Sequence, residues 1–336
     1  MSSTPRETAE STYNPASPRP KLAILCAPGM ENFLGDITRH LSAQYDVRTC
    51  FNGNNKTLND AIAWADIIWV EWANELAVAL THGLPPGVNK RVICRLHSYE
   101  AFASFPDQIK WNRIDDLIFV AAHIRDYVLT RVPELRSRAG RLYVIPNGID
   151  MARFPLKIRR PGKNLAFLGY INYKKGPMLL LHAFAEFARH DPTYRLYIGG
   201  KFQDERYRLY FEQMAAELGI KDSIQFDGWI DDVPTWLDDK QYIICSSLLE
   251  AHPVGIMEAM ACGVKPVVHN FVGARSIFDR RFIWNTIEEF VTMIRSDEYN
   301  SEAYRAFIAE NYSLNRQLAS IDEMMLQDCQ VTVTNE

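Results

Sequence analysis

Several features that would narrow the field are missing from this chain. Its six cysteines (26, 50, 94, 245, 262 and 329) form no CxxC pair and no even framework. Several stand inside apolar runs, where cysteine packs as a small hydrophobe, and the compartment is expected to be reducing. No stretch approaches the roughly 18 apolar residues of a membrane span. Residues 1–20, rich in Ser, Thr and Pro, lack the apolar run of a signal peptide and read as a flexible tail. Net charge is −4 over 336 residues, and residues 21–150 hold acidic and basic side chains in equal number. That balance argues against a nucleic-acid footprint. One basic run, TRVPELRSRAGR with Arg131, Arg136, Arg138 and Arg141, suits an anionic acceptor or a membrane surface, and more commonly a solvated helix end. The expectation is a soluble cytoplasmic protein, with peripheral membrane contact left open. GxGxxG is also absent after the first apolar run, which continues as CAPGMENFLG, and the second run ends near Asn52 rather than on an acid. A nicotinamide-dependent oxidoreductase is set aside on those grounds.

What the chain does have is a rhythm. With 47% hydrophobic and 23% charged residues, the length suits two α/β domains better than one core. Strand-like runs at KLAIL, YDVRTCF, DIIWVEW, RVICRLH, DDLIFVAA and RLYVI alternate with helical stretches, among them 31–45, 59–65 and 123–132. Apolar runs of this kind indicate a parallel sheet covered on both faces. A polar joint, MARFPLKIRRPGKN (151–164), precedes a restart: NLAFLGYI, the helix GPMLLLHAFAEFARH, YRLYIGG, SIQFDGW, YIICSSLL, the helix PVGIMEAMACG and VKPVVHN. The expected division is a tail (1–20), two Rossmann-like doubly wound domains (21–155 and 156–305) facing a cleft, and a C-terminal helix with its own tail (306–336). Ligands in such sheets bind beyond the carboxyl ends of the strands.

Four constellations fall at those ends. Glu250 follows YIICSSLL, and Glu258 lies eight residues on, in a helix that Pro253 opens and Gly263 closes. Carboxylates accept paired hydrogen bonds from vicinal hydroxyls, and the helix start between them offers positive partial charge to phosphate. A loop glutamate and a helix-dipole charge would look the same. Lys174 and Lys175 lie after a strand ending at Gly169 and before Pro177, where cations suit a diphosphate, although an ordinary lysine-rich loop reads alike. His97 ends RVICRLH, and Asn147 and Gly148 form a turn before the joint. Glu71, Trp72 and Asn74 end DIIWVEW and could line an acceptor pocket or simply pack. Arg275 could approach a ligand or face solvent.

Taken together, EAHPVGIMEAMACG, VIPNGID, KKG, FDGWI and RLH resemble, in content and order, retaining family 4 glycosyltransferases over roughly residues 21–325. The resemblance implies the GT-B fold, two Rossmann-like domains with the sugar nucleotide mainly on the second and the hydroxyl acceptor on the first. It implies that Glu250 contacts hydroxyls of the donor sugar, Glu258 holds the ribose, Lys175 neutralises the diphosphate, and His97 reaches the sugar from the opposite domain. Gly228, Trp229 and Ile230 would lie along the base of a UDP- or GDP-sugar. Gly35 would sit near the phosphates, and Gly169, Lys174, His252, Val254, Gly255 and Ile256 would complete the donor site. The terminal helix would brace the first domain. No metal or other cofactor is implied. Two positions depart from the family pattern: Tyr170 stands where an arginine is usual, and Pro253 where a glycine is usual. The competing expectations are a non-catalytic sugar-nucleotide-binding module and an epimerase or hydrolase on the same fold.

Overall fold

The apolar runs assemble into two separate parallel sheets. A computed structural model describes residues 18–327, so most of the expected tail and Cys329 lie outside the described residues. The first sheet contains β1 (Lys21–Leu25), β2 (Asp46–Cys50), β3 (Ile67–Glu71), β4 (Arg91–Leu96), β5 (Asp116–Phe119) and β6 (Arg141–Val144), in the order β2-β1-β3-β4-β5-β6. The second contains β7 (Asn164–Leu168), β8 (Arg195–Gly199), β9 (Ile224–Gly228), β10 (Tyr242–Cys245), β11 (Lys265–His269) and β12 (Ile283–Trp284), in the order β12-β11-β10-β7-β8-β9. Both have the doubly wound topology of a GT-B fold. All four residues of β5 and of β10 are buried, which is why these strands read as unbroken apolar runs rather than alternating ones.

The order reverses between β1 and β3 in the first sheet and between β7 and β10 in the second. Loops at a reversal diverge and leave a crevice. The segments after β3, β7 and β10 carry Trp72, Lys175 and Glu250 respectively. The cores lie on either side of each sheet: Leu22, Ile24, Trp69 and Ile93 share a cluster with Met324 and Met325 from the far end of the chain. The last helix, Leu314–Leu326, therefore packs on the first sheet. Arg91 fixes it there by donating to the carbonyls of Met324 and Met325, each at 2.8 Å.

Some local expectations are corrected. The helix expected over 31–45 is a 3-10 turn, Glu31–Phe33, followed by a short helix, Gly35–Leu41; glycine at the junction and the polar SAQ beyond it favour neither extension. The helix at 59–65 starts earlier, at Asn55, because the Asn54 side chain accepts from the amides of Lys56 and Thr57. A helix at Glu75–Gly83, capped by Asn74, was not anticipated. The terminal helical stretch breaks at Ser313 into Ser301–Tyr312 and Leu314–Leu326. The basic run is largely absorbed: Arg131 pairs with Asp107, and Arg141 with the buried Asp116. Cys26, Cys50, Cys94, Cys245 and Cys262 are buried and free.

Candidate active site

A cavity of about 530 Å³ opens between the two sheets, with Phe33 and Trp72 on the first side and Tyr170, Lys175, Trp229 and Glu258 among its walls on the second. Gly169, Lys174, Ile230, Glu250, His252, Val254 and Gly255 also reach it. A second hollow of about 460 Å³ meets it at Phe33, Val254 and Glu258 and extends toward Gly35, Asn147 and Arg153.

Glu250 is 7% exposed. Its Oε1 accepts from Lys175 Nζ at 2.6 Å and from Ser247 Oγ at 2.8 Å. Burial alone would lower the Lys175 ammonium, but the carboxylate beside it more than offsets this and holds it above its ordinary value. The turn at Gly176 (φ +60°) places this lysine; a Cβ there would sit 2.1 Å from the Ser246 carbonyl oxygen, so only glycine fits.

Glu258 is different. Among the described residues no hydrogen bond or ion pair is made to its carboxylate, and burial pushes it up to about 7 against a weaker opposing pull from Arg153. An acid with no partner, facing a cavity, is poised for one. Pro253 caps the helix Val254–Ala261, its carbonyl accepting from Ile256 and Met257. Glycine at 255 brings that helix start close to Leu168: a Cβ would lie 3.3 Å from Leu168 Cδ2.

Tyr170 and Trp229 are 45% and 44% exposed, and their rings meet at 4.7 Å. Gly228 (φ +74°) turns the chain into Trp229 at the end of β9. His252 is 9% exposed, and neither ring nitrogen has a partner. Burial, with Arg95, His97 and His123 nearby, pushes it down to about 3, so it is neutral.

Behind the first wall is a buried polar cluster. Glu71 accepts from Arg95 (3.1 Å), His97 Nε2 (2.7 Å) and Trp69 Nε1 (2.9 Å). Burial opposes its ionisation, yet Arg95 and His97 hold the carboxyl below its ordinary value. Arg95 also donates to Asn147. His97 is buried under the Trp72 ring, whose centroid is 3.8 Å away, and under Phe33 at 5.1 Å. It therefore sits one layer behind the cavity, where Trp72 and Phe33 form the surface. Trp72 itself has φ +70°, a costly conformation for a bulky residue and a mark of functional sites. Asn74 caps its helix and donates to Tyr99 Oη at 3.0 Å.

Not every expected residue joins the site. Gly35 lines only the second hollow, and nothing around it requires a glycine. Ile256 is buried in the core of the second sheet. Arg275 lines a separate hollow beside His123. Sequence reasoning missed Ser247, Arg95 and His123, the last of which donates from Nε2 to the Glu250 carbonyl at 2.8 Å. An arginine inside the apolar strand RVICRL was the available signal for Arg95. Among the described residues no group of three or more His, Cys, Asp or Glu is placed to hold a metal ion.

A family model, glycosyl transferases group 1, matches residues 149–317, half of the chain and the half that carries Glu250, Glu258 and Lys175. The chain belongs to this family. Relatives within reach by sequence include the GDP-mannose:cellobiosyl-diphosphopolyprenol alpha-mannosyltransferase of Xanthomonas campestris, 27% identical over 132 residues, 38% of this chain and 34% of that protein. Another is the D-inositol 3-phosphate glycosyltransferase of Frankia alni, 31% identical over 153 residues, 40% of this chain and 37% of that one. The matches thus span about a third of the length of these relatives. Among solved structures, Anabaena HepE in complex with UDP and glucose superposes with a TM-score of 0.70 at 15% identity, over 91% of this chain and 99% of that one. Sucrose-phosphate synthase from Thermosynechococcus elongatus gives 0.74 at 14%, over 93% and 100%. At such identities these structures show a shared fold, and the group 1 family places that fold among the glycosyltransferases.

Proposed function

We propose that this protein transfers a sugar from a nucleoside-diphosphate sugar, with UDP or GDP as the carrier, to a hydroxyl acceptor, retaining the anomeric configuration and without a metal ion. The observation that carries the reading is the unpartnered Glu258 carboxyl at the wall of a cavity that also holds a Lys175–Glu250 pair. In this reading Glu258 takes the two ribose hydroxyls, a bidentate arrangement only an ionised carboxylate satisfies fully. Lys175 turns its ammonium from Glu250 toward the diphosphate, freeing Glu250 for hydroxyls of the sugar. The base lies against Tyr170 and Trp229; with tyrosine at 170 the diphosphate lacks the second cation usual in the family, and Lys174 lines the same cavity as Lys175.

The bond from the anomeric carbon to the phosphate oxygen breaks as the bond to the acceptor oxygen forms on the same face, and the acceptor proton passes to the departing phosphate oxygen. No protein nucleophile is needed. Lys175 and the helix start at Val254 stabilise the charge that grows on the leaving group. The Glu71–Arg95–His97 cluster acts as a rigid floor that sets the Trp72 ring, the acceptor side of the cavity. The relatives' named activities support this reading, as does the binding of UDP and glucose by the structurally similar HepE.

The test is incubation with UDP-, GDP- and ADP-sugars while following nucleoside diphosphate release. The expected result is slow release with at least one of them, abolished by Glu250→Ala. Binding without release from any would instead mark a sugar-nucleotide-binding module.

A further inference from the structure

We propose that the stacked pair Phe102–Tyr127, with Tyr99 beside it, is an outer acceptor subsite that takes the sugar rings of a glycan acceptor lying beyond the ring that is glycosylated. This rests on the transferase reading above and names its acceptor class.

Large aromatic side chains are normally covered, yet Tyr99, Phe102 and Tyr127 are 39%, 46% and 41% exposed. The rings of Phe102 and Tyr127 stack at 4.6 Å with 22° between their planes. The pair is held rigidly from below. Arg131, four residues past Tyr127 on the helix Ala122–Arg131, donates to the carbonyls of Ala101 and Ala103 on either side of Phe102 and pairs with Asp107. Flat faces locked in place lose little entropy on meeting a ligand.

Two lines of contact lead from the cavity to this pair. On one, the Trp72 ring meets Tyr99 at 5.6 Å, and Phe102 follows three residues on in the same helical turn. On the other, His123 holds the Glu250 carbonyl, and Tyr127 lies one turn further along that helix, about 6 Å at a rise of ~1.5 Å per residue. His123 also borders a hollow of about 550 Å³ between its helix and residues 270–276. An acceptor whose reacting hydroxyl sits at Trp72 and Glu250 would therefore lead its next rings out over Tyr99, Phe102 and Tyr127.

The chemistry favours sugar over lipid. The C–H face of a pyranose packs on an aromatic ring while its hydroxyls reach polar groups at the edge, as an amphipathic surface requires. An anionic membrane surface would need an unbalanced cationic field. Here the charges flanking the pair cancel: Arg125 is bonded to Asp126 at 2.8 Å, and Arg131 to Asp107.

The test titrates mono- to pentasaccharides of the malto-, cello-, manno- and chito- series, without sugar nucleotide, against the wild type and two double variants, followed by saturation-transfer NMR. Phe102→Ala with Tyr127→Ala removes the rings. Phe102→Leu with Tyr127→Leu keeps apolar bulk and guards against a collapsed surface. The expected result is an affinity in one series that rises with length in the wild type and is about tenfold weaker in both double variants for the longer members. An affinity that does not depend on length, absence of binding in every series, or a length dependence that both variants keep would overturn the proposal. So would sedimentation with 1:1 phosphatidylglycerol–phosphatidylcholine vesicles that only the wild type shows, since the pair would then be a membrane contact. If length dependence is found but no sugar nucleotide binds, the transferase reading falls and the glycan subsite stands.

Discussion

Replacing Glu258 by glutamine should make the empty protein more stable while impairing it. The carboxyl is pushed from 4.5 to about 7 by burial; Arg153 favours its ionised form only weakly, and among the described residues nothing hydrogen-bonds or pairs with it. At about 1.4 kcal/mol per pH unit this is a cost of roughly 3 kcal/mol when the group is ionised, and partial exposure reduces it to about 2. The sign follows from proton uptake: between 4.5 and 7 the folded state holds a proton that the unfolded chain has released, so stability falls as pH rises through that window. Below 4.5 both states are protonated and the variant should match the wild type. At pH 8, Glu258→Gln should be more stable by about 2 kcal/mol, or several degrees in melting temperature. The same variant should bind nucleoside diphosphate ten- to a hundredfold more weakly, about 1.5–3 kcal/mol, the range for hydrogen bonds to a charged group. Paired urea denaturation at pH 5 and pH 8, with calorimetric titration of UDP and GDP, measures both. A variant that is less stable at pH 8, or whose stability differs from wild type equally at both pH values, would show that the carboxylate has a partner after all.

Lys175→Met leaves the Glu250 carboxylate with Ser247 alone and should cost about 3 kcal/mol in urea denaturation; Lys175→Met with Glu250→Gln should restore part of it, since two neutral groups no longer oppose burial. His252 is pushed down to about 3 from 6.5, so the unfolded chain takes up a proton first and stability should fall as pH drops from 6.5 toward 3; His252→Phe should flatten that part of the pH–stability curve. Gly148→Ala places a Cβ 2.5 Å from Leu314 Cα, a backbone atom. The terminal helix should be displaced, lowering the melting temperature by the equivalent of roughly 2–3 kcal/mol.

The sheets were legible because strands buried on both faces are unbroken apolar runs, and their alternation with helices leaves few topologies. The helix at Glu75–Gly83 escaped because ELAVALTHG has a buried apolar side and little polar contrast; its signal was the Asn74 cap, read instead as a pocket residue. At the site, Glu250, Glu258 and Lys175 could be found because they stand at strand and helix ends in a recognisable order. Their relationship could not. That Lys175 bonds Glu250 while Glu258 stays alone depends on the turn at Gly176 and the depth of the helix at 254–261. His97 was placed at the right strand end, but spacing carries no information on the Trp72 ring that covers it. Tyr170, an apparent loss of a cation, gains meaning only beside Trp229, more than fifty residues away in the chain.

If the proposed function holds, the cavity between the sheets receives a nucleoside diphosphate through Glu258 and Lys175. The most direct measurement is calorimetric titration of UDP, GDP and ADP into the protein at pH 7 in two buffers of different ionisation enthalpy. The expected result is one-to-one binding by at least one of them, with a fraction of a proton released as Glu258 ionises, and loss of that release in Glu258→Gln. Absence of binding by all three, or binding with no proton release and unchanged by Glu258→Gln and Lys175→Met, would contradict it.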